Sequence, residues 1–254
     1  MANRKTTCIF CRARLTWLAH LFKACFKQHH RELRAPLSRF IGPDAVVFDV
    51  GAHAGQFAKL FAGMAPQGKI FSIEPGAYAL SILRPALRIN RLSHVTVIET
   101  GLSDTPGEAT LNVPVKQSGS IGFGLSHIGG AMDGSGLRTV EETIPLSTID
   151  VLAAELKLNR LNFIKADIEG WEMRMLAGGD KTLRTLRPGL FLEVNNDSLS
   201  RAGDMAEGLL SYMAERDYRA FLLTENGAFE PVDTADNADL FFVPAEKAAA
   251  LLHA

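Results

Sequence analysis

Four carboxylates, Asp49, Glu74, Asp167 and Glu169, stand at the ends of apolar runs, where charge has to be explained by something other than packing. The first run is VVFDVGAHAG at 46–55. The second, KIFSIEP, reaches Glu74 twenty-five residues after Asp49. An apolar run closed by glycine reads as a buried strand. Gly51 and Gly55 let the next turn pass close to a ligand, and a carboxylate ending the following strand accepts hydrogen bonds from ribose hydroxyls. The pair describes a nucleoside cofactor at the carboxyl edge of a parallel sheet. The dinucleotide fingerprint G-x-G-x-x-G opens with glycines one residue apart, whereas three residues separate Gly51 from Gly55. Asp49, directly before the turn, disfavours a pyrophosphate and tolerates a cationic ligand. S-adenosylmethionine, with its ammonium and sulfonium groups, fits better. Asp49, Gly51 and Gly55 are assigned to its methionine end and Glu74 to its ribose. The bland reading of the same residues is a tight strand-to-helix turn with a helix-capping aspartate.

Asp167 and Glu169 end the run FIKA, at the edge where the sulfonium should lie. If the backbone stays extended there, residues two apart face one side, so both carboxylates reach one pocket. Methyl transfer is an in-line displacement in which alignment supplies much of the acceleration, and an alcohol nucleophile must also lose its proton. Either Asp167 or Glu169 serves as the base, and either can instead cap the helix that begins near Trp171. Ser103 and Asp104 follow the third strand, where such folds hold adenine, although D-T-P-G is also a good turn former. Glu193, Asn195 and Asn196 place further polar groups at the same edge. Asp167, Glu169 and Glu193 together offer a divalent-cation alternative, but nothing in the spacing requires a metal and none is expected. His127, in a glycine-rich loop, is a base only if that loop closes. Trp171 is packing beside the helix start or a wall for a sugar ring.

These groups need a scaffold, and the chain supplies one. At 254 residues and 47% hydrophobic content it is long enough for one α/β core and short for two. After Pro43 strands and helices alternate. Strands are expected at 46–50, 69–73, 94–99, 161–166, 190–194, 219–223 and 240–243. Helices are expected at 56–64, 78–90, 171–186 and 201–216. Between about 107 and 148 two alternating stretches flank the glycine- and serine-rich segment SGSIGFGLSHIGGAMDGSG, a β-rich insertion with a lid. The expected architecture is a doubly wound, mostly parallel α/β sheet in residues 40–254, preceded by a basic helical extension in 1–39. That extension carries nine Lys/Arg and only Glu32 as an acid, so the rest of the chain is net negative at about −9. An acidic body excludes nucleic acid as a partner on electrostatic grounds.

From Cys11 to His29, Cys11, Leu15, Leu18, Leu21, Phe22, Cys25 and Phe26 recur at helical spacing, with Arg12, Lys23, Lys27 and Arg34 opposite. This amphipathic helix either packs on the body or lies on an anionic membrane surface, a peripheral contact through residues 11–34. Cys8-x-x-Cys11 lacks the second ligand pair of a structural zinc site. No apolar stretch reaches the roughly 20 residues of a spanning helix, and Arg12 and Arg14 interrupt any signal-peptide core. A cytoplasmic protein, with contact at the inner membrane face, is the expectation.

With these elements in place the chain resembles the FkbM family of S-adenosylmethionine-dependent methyltransferases. The matching stretches are FDVGAHAGQF at 48–57, IEP at 73–75, GLSDTPGEATL at 101–111, STID at 147–150, FIKADIEGWEMRMLAGG at 163–179, RPGLFLEV at 187–194 and DLFFVP at 239–244. His53 occupies a place where members often carry Asn, beside the methionine part of the cofactor. Residues 1–39 have no counterpart. The resemblance implies a Rossmann-like class I methyltransferase fold and O-methylation of a small-molecule or glycan acceptor, commonly a sugar or another natural product. Two other readings are weighed against it. One is a nicotinamide-dependent oxidoreductase on a similar sheet, against which the missing G-x-G-x-x-G speaks. The other is a non-catalytic, membrane- or partner-tethered module, against which the intact carboxylates speak.

Overall fold

The computed structural model describes the backbone over residues 4–115, 127–128 and 138–252, and side chains over 14–113, 128 and 139–251. Eight strands form the main sheet. β1 (Val46–Val50), β2 (Lys69–Ile73) and β3 (Val95–Ile98) lead the chain out to one edge. The chain then returns through a separate four-stranded sheet: β4 (Gly101–Leu102), β5 (Gly107–Val115), β6 (His127–Ile128) and β7 (Arg138–Ser147). β8 (Phe163–Ala166) and β9 (Gly189–Asn195) resume on the other side of β1. β10 (Tyr218–Leu223), β11 (Phe229–Pro231) and β12 (Asn237–Pro244) complete the sheet in the order β11-β10-β12-β9-β8-β1-β2-β3. The five strands from β9 to β3 are parallel; β12 runs antiparallel to both β9 and β10. The expected doubly wound sheet and β-rich insertion are both present.

The apolar runs look continuous because the parallel strands are covered on both faces. Val46, Phe48 and Val50 face one helical layer, made of α5 (Ile149–Glu155), α6 (Glu172–Ala177), α7 (Asp180–Thr185) and α9 (Ala206–Ala214). Val47 faces the other, where α3 (Gln56–Met64) contributes Phe57, Leu60 and Phe61, α2 (Arg34–Leu37) contributes Leu37 and α10 (Ala245–Leu252) contributes Leu251. Strand periodicity puts Asp49 on the Val47 side, inside the core. The strand order reverses between β1 and β8, and their carboxyl ends open the crevice where ligands bind in such sheets.

Several expected elements are cut differently. The helix expected over 171–186 is two helices, because Gly178 runs against the insertion's first strand: a Cβ there would meet the Ser103 carbonyl oxygen at 2.0 Å. The STID motif explains the restart. Thr148 caps α5 by accepting from the Val151 N–H, and Asp150 accepts from the N–H groups of Lys181 and Thr182 at the start of α7. The helix expected over 201–216 is α8 (Asn196–Arg201) and α9, parted by the turn at Gly203–Asp204. The short strand β11 carries no alternation and escaped the sequence reading.

The amino-terminal helix α1 (Arg4–Phe26) packs on α4 (Ala77–Ile89). Its buried side is Ala24 and Cys25, with Trp17 and Leu21 against Ile82 and Ala86. The apolar stripe read from the sequence is therefore divided: Leu21 and Cys25 turn inward, while Leu15, Leu18, Phe22 and Phe26 are exposed. Cys8 and Cys11 have side chains outside the described residues; Cys25 is a free thiol.

Candidate active site

At the switch point lies a cavity of about 330 Å3, within the range of small-molecule sites. The end of β1 enters it through Val50 and the turn Gly51–Ala52–His53. This turn is built on left-handed conformations, with φ of 68° at Gly51 and 51° at His53. A Cβ on Gly51 would sit 2.1 Å from the Asp167 carbonyl oxygen, so only glycine lets β1 and β8 deliver their ends this close together. His and Asn both belong to the few residue types that tolerate a positive φ, which gives the Asn-to-His departure at position 53 a backbone explanation.

Glu74 ends β2 on the cavity wall. Its Oε2 accepts from the His53 N–H at 2.8 Å and its Oε1 from the Gly76 N–H at 2.9 Å. Burial pushes its carboxyl up, and those two backbone donors oppose the shift. A carboxylate has about four lone-pair sites, so two remain for a ligand's hydroxyls. Thr100, Gly101 and Leu102, together with Ile73 and Ala79, line the adjoining wall.

Beneath the turn is a buried ion pair. Lys165 on β8 lies opposite Asp49 on β1 in the parallel register, with its Nζ 4.0 Å from Asp49 and 3.6 Å from Asp167. The ammonium donates to the carbonyl oxygens of Val50 and Gly51 and sits 5.0 Å over the Phe57 ring. Asp49 is fully buried, and neither carboxylate oxygen has a hydrogen-bond partner. Burial pushes it up to about 7 against the pull of Lys165. It is not among the residues that line the cavity and lies beneath the turn, beside Lys165.

Asp167 and Glu169 both line the cavity, but not by the expected route. The strand ends at Ala166 and the chain turns, with Glu169 at φ 55°. The turn is tied by Glu172, whose Oε1 accepts from the Ile168 N–H, and by Arg201, which donates to the Glu169 carbonyl oxygen. Burial alone would raise Asp167, but Lys165 and a hydrogen bond with Glu193 outweigh it and hold the carboxyl low. Glu193 moves the opposite way: burial raises it, and its hydrogen bond to Asp167 and that group's charge raise it further. Glu169 is raised by burial and by Asp167, with Arg201 at 3.8 Å opposing. Asp239, opposite Glu193 across the β9–β12 ladder, is raised by burial as well.

The other walls come from far along the chain. The insertion supplies Leu111, Val113, Ile128 and Glu142, the last accepting from the Ala77 N–H at the start of α4. The amino-terminal extension supplies His30, stacked on Phe57 with centroids 4.5 Å apart.

Of the residues singled out in the sequence, Gly51, His53, Glu74, Asp167 and Glu169 meet at the cavity. Gly55 precedes α3 in a left-handed conformation, where a Cβ would meet Leu83 Cδ1 at 2.7 Å. Ser103 and Asp104 lie off the wall: the Ser103 hydroxyl donates to Asp104 and accepts from Trp171 Nε1, and Asp104 pairs with Arg174 at 3.5 Å. Arg174 in turn lies 4.8 Å over the Trp171 ring, and that tryptophan is not among the residues that line the cavity. Asn195 and Asn196 are caps, accepting from the N–H groups of Ser198 and Ala206. The side chain of His127 lies outside the described residues. Lys165 and His30 were missed. A lysine inside FIKA was a usable signal, since a charge in a buried strand needs a partner; nothing local marks His30.

The model of the Methyltransferase FkbM domain matches residues 49–220. The chain belongs to the FkbM methyltransferase family. Among curated relatives, the 2-O-methyltransferase NoeI of Sinorhizobium fredii is 26% identical over 170 residues, 62% of this chain and 65% of that protein. The AMB antimetabolite synthetase AmbE of Pseudomonas aeruginosa is 26% identical over 66% of this chain and 9% of its own length. The chain thus spans less than two thirds of the curated relatives it matches. A crystal structure of an FkbM methyltransferase from Methylobacillus flagellatus KT aligns over 79% of this chain and 44% of that one, with a TM-score of 0.49 at 20% identity.

Proposed function

We propose that the protein is an S-adenosylmethionine-dependent O-methyltransferase whose acceptor is a hydroxyl of a sugar, glycoconjugate or similar natural product. One observation carries the reading: a single cavity has a buried carboxylate preset by two backbone donors at one end, Glu74, and a carboxylate pair at the other, Asp167 and Glu169. The wall fits the cofactor. Glu74 has lone pairs for ribose hydroxyls, the Gly51–His53 turn offers backbone to the methionine end, and Ile73, Ala79 and Leu102 provide an apolar bed for the adenine. S-adenosylmethionine, when bound, supplies an electrophilic methyl carbon and a cationic sulfur.

The chain's own residues bind, align and remove a proton. Asp167 is engaged by Lys165, which holds its carboxyl low, so it serves as the fixed negative charge of the site. Glu169 is the better base, because burial lifts it toward the working pH and it accepts the acceptor's hydroxyl proton on a carboxylate oxygen. Oxygen as the acceptor atom is supported by the name of NoeI and by this carboxylate, which a nitrogen or sulfur nucleophile needs less.

Isothermal titration with S-adenosylmethionine and, separately, NADH tests the cofactor. Micromolar binding of the first that Glu74→Ala weakens supports the reading, whereas binding of NADH alone overturns it. Transfer of labelled methyl groups to a panel of hydroxylated acceptors tests the chemistry; incorporation only into amines or thiols excludes the O-methyl assignment.

A further inference from the structure

Seven large hydrophobic side chains are exposed among the described residues, and four of them stand on α1: Leu15 at 65%, Leu18 at 52%, Phe22 at 59% and Phe26 at 68%. Their spacing of three, four and four residues aligns them into one stripe along the helix. The helix is held to the body without using it. Trp17 Nε1 donates to the Ser81 hydroxyl at 3.0 Å, His20 Nδ1 is 3.0 Å from the Tyr78 hydroxyl, and Ala24 and Cys25 are buried against α4. Among the described residues the outer side is thus an exposed apolar surface, on which the Phe22 and Phe26 rings lie 4.9 Å apart.

The rim of this stripe is cationic. At 3.6 residues per turn Arg14 falls along one edge, with Lys23 and the following Lys27 along the other, and all three are exposed. No acidic residue occurs before Glu32. A second copy of the chain would bring two cationic rims together, whereas an anionic lipid surface offers acyl chains to the centre and headgroup charge to the rim. No helix among the described residues is long and apolar enough to cross a membrane, so α1 would lie in the interface plane.

We infer that this face of α1 docks the protein onto an anionic lipid bilayer. The helix is anchored at Tyr78, which lines the cavity, and the same extension continues to His30 on the cavity wall. The docking itself does not depend on the methyl-transfer reading.

Flotation of the full chain with vesicles tests it, using phosphatidylcholine alone and phosphatidylcholine mixed with phosphatidylglycerol. The expected result is flotation with the anionic vesicles only, weakened by added salt. The double variant Phe22→Ser/Phe26→Ser should reduce partitioning by about a hundredfold, since each phenylalanine contributes about tenfold when buried. Lys23→Gln/Lys27→Gln should weaken binding to anionic vesicles by about thirtyfold, near 1 kcal/mol per charge. All these positions are exposed, and unchanged circular dichroism and thermal midpoint confirm that the variants fold. Absence of flotation with either vesicle overturns the inference. So does a dimer in gel filtration that the phenylalanine variant converts to monomer, which would make the stripe an interface between copies.

Discussion

The two ends of the cavity are built on opposite plans. The cofactor end is local: Gly51, His53 and Glu74 lie within one strand–helix–strand unit, and backbone N–H groups fix the carboxylate before any ligand arrives. The acid end is assembled from β8, β9, β12 and the amino-terminal extension, and its charges answer one another. Lys165 pulls Asp167 down, Asp167 pushes Glu193 up, and Glu169 is lifted by both burial and its neighbour. The contrast separates recognition from reactivity. A group that only has to hold two hydroxyls is best satisfied and immobile, whereas a group that must take a proton needs a raised carboxyl with lone pairs to spare.

If that division holds, Glu169→Gln should lower turnover by about 10²–10⁴-fold while leaving S-adenosylmethionine affinity within about twofold. Single-turnover kinetics beside titration calorimetry would show it, and a matching loss of affinity would erase the distinction between the ends. Lys165→Met probes the link between them. It leaves Asp49 as an uncompensated buried charge and should cost about 3–5 kcal/mol in urea unfolding, much of which Asp49→Asn in the same chain should return.

Glu172 sharpens the acid end through pH. Burial pushes it up to about 7 from an ordinary carboxyl value, so the folded state binds its proton more tightly than the unfolded chain. Its stabilising contribution is therefore complete at acid pH and lost as pH rises toward 7. Comparing wild type with Glu172→Gln by urea unfolding between pH 5 and 8, the stability difference should move in the variant's favour by up to about 3 kcal/mol with rising pH. A flat difference would mean that the group is ionised throughout. The smallest effect is expected at the preset end, where Glu74→Ala should weaken cofactor binding about 10–100-fold with little change in unfolding.

The same contrast governs what could be read in advance. β1, α3 and β2 appear where the apolar runs and glycines place them, because the strand–turn–helix pattern is a local instruction. Asp167 and Glu169 were identified as a pair although the extended backbone assumed for them is a turn. Ser103 and Asp104 were drawn toward the cofactor by their position after β3, yet their partners Trp171 and Arg174 come from a helix some seventy residues on. No pattern near residue 103 contains that information. The amphipathic stripe of α1 was legible as a period but not as an orientation, since the side that faces the body is chosen by α4.

By itself the sequence determined the alternation of strands and helices, the glycine turn, the carboxylate ending β2 and the membership these carry, all of which depend on neighbours in the chain. Tertiary structure alone decided that Asp49 answers Lys165 from beneath the site, that His30 reaches the cavity, that Asp167 raises Glu193, and which face of α1 is left bare among the described residues. The physical reason is common to all four. Charge coupling and burial act through space over a few ångströms, and residues that close are here separated by anything from two dozen to well over a hundred positions along the chain.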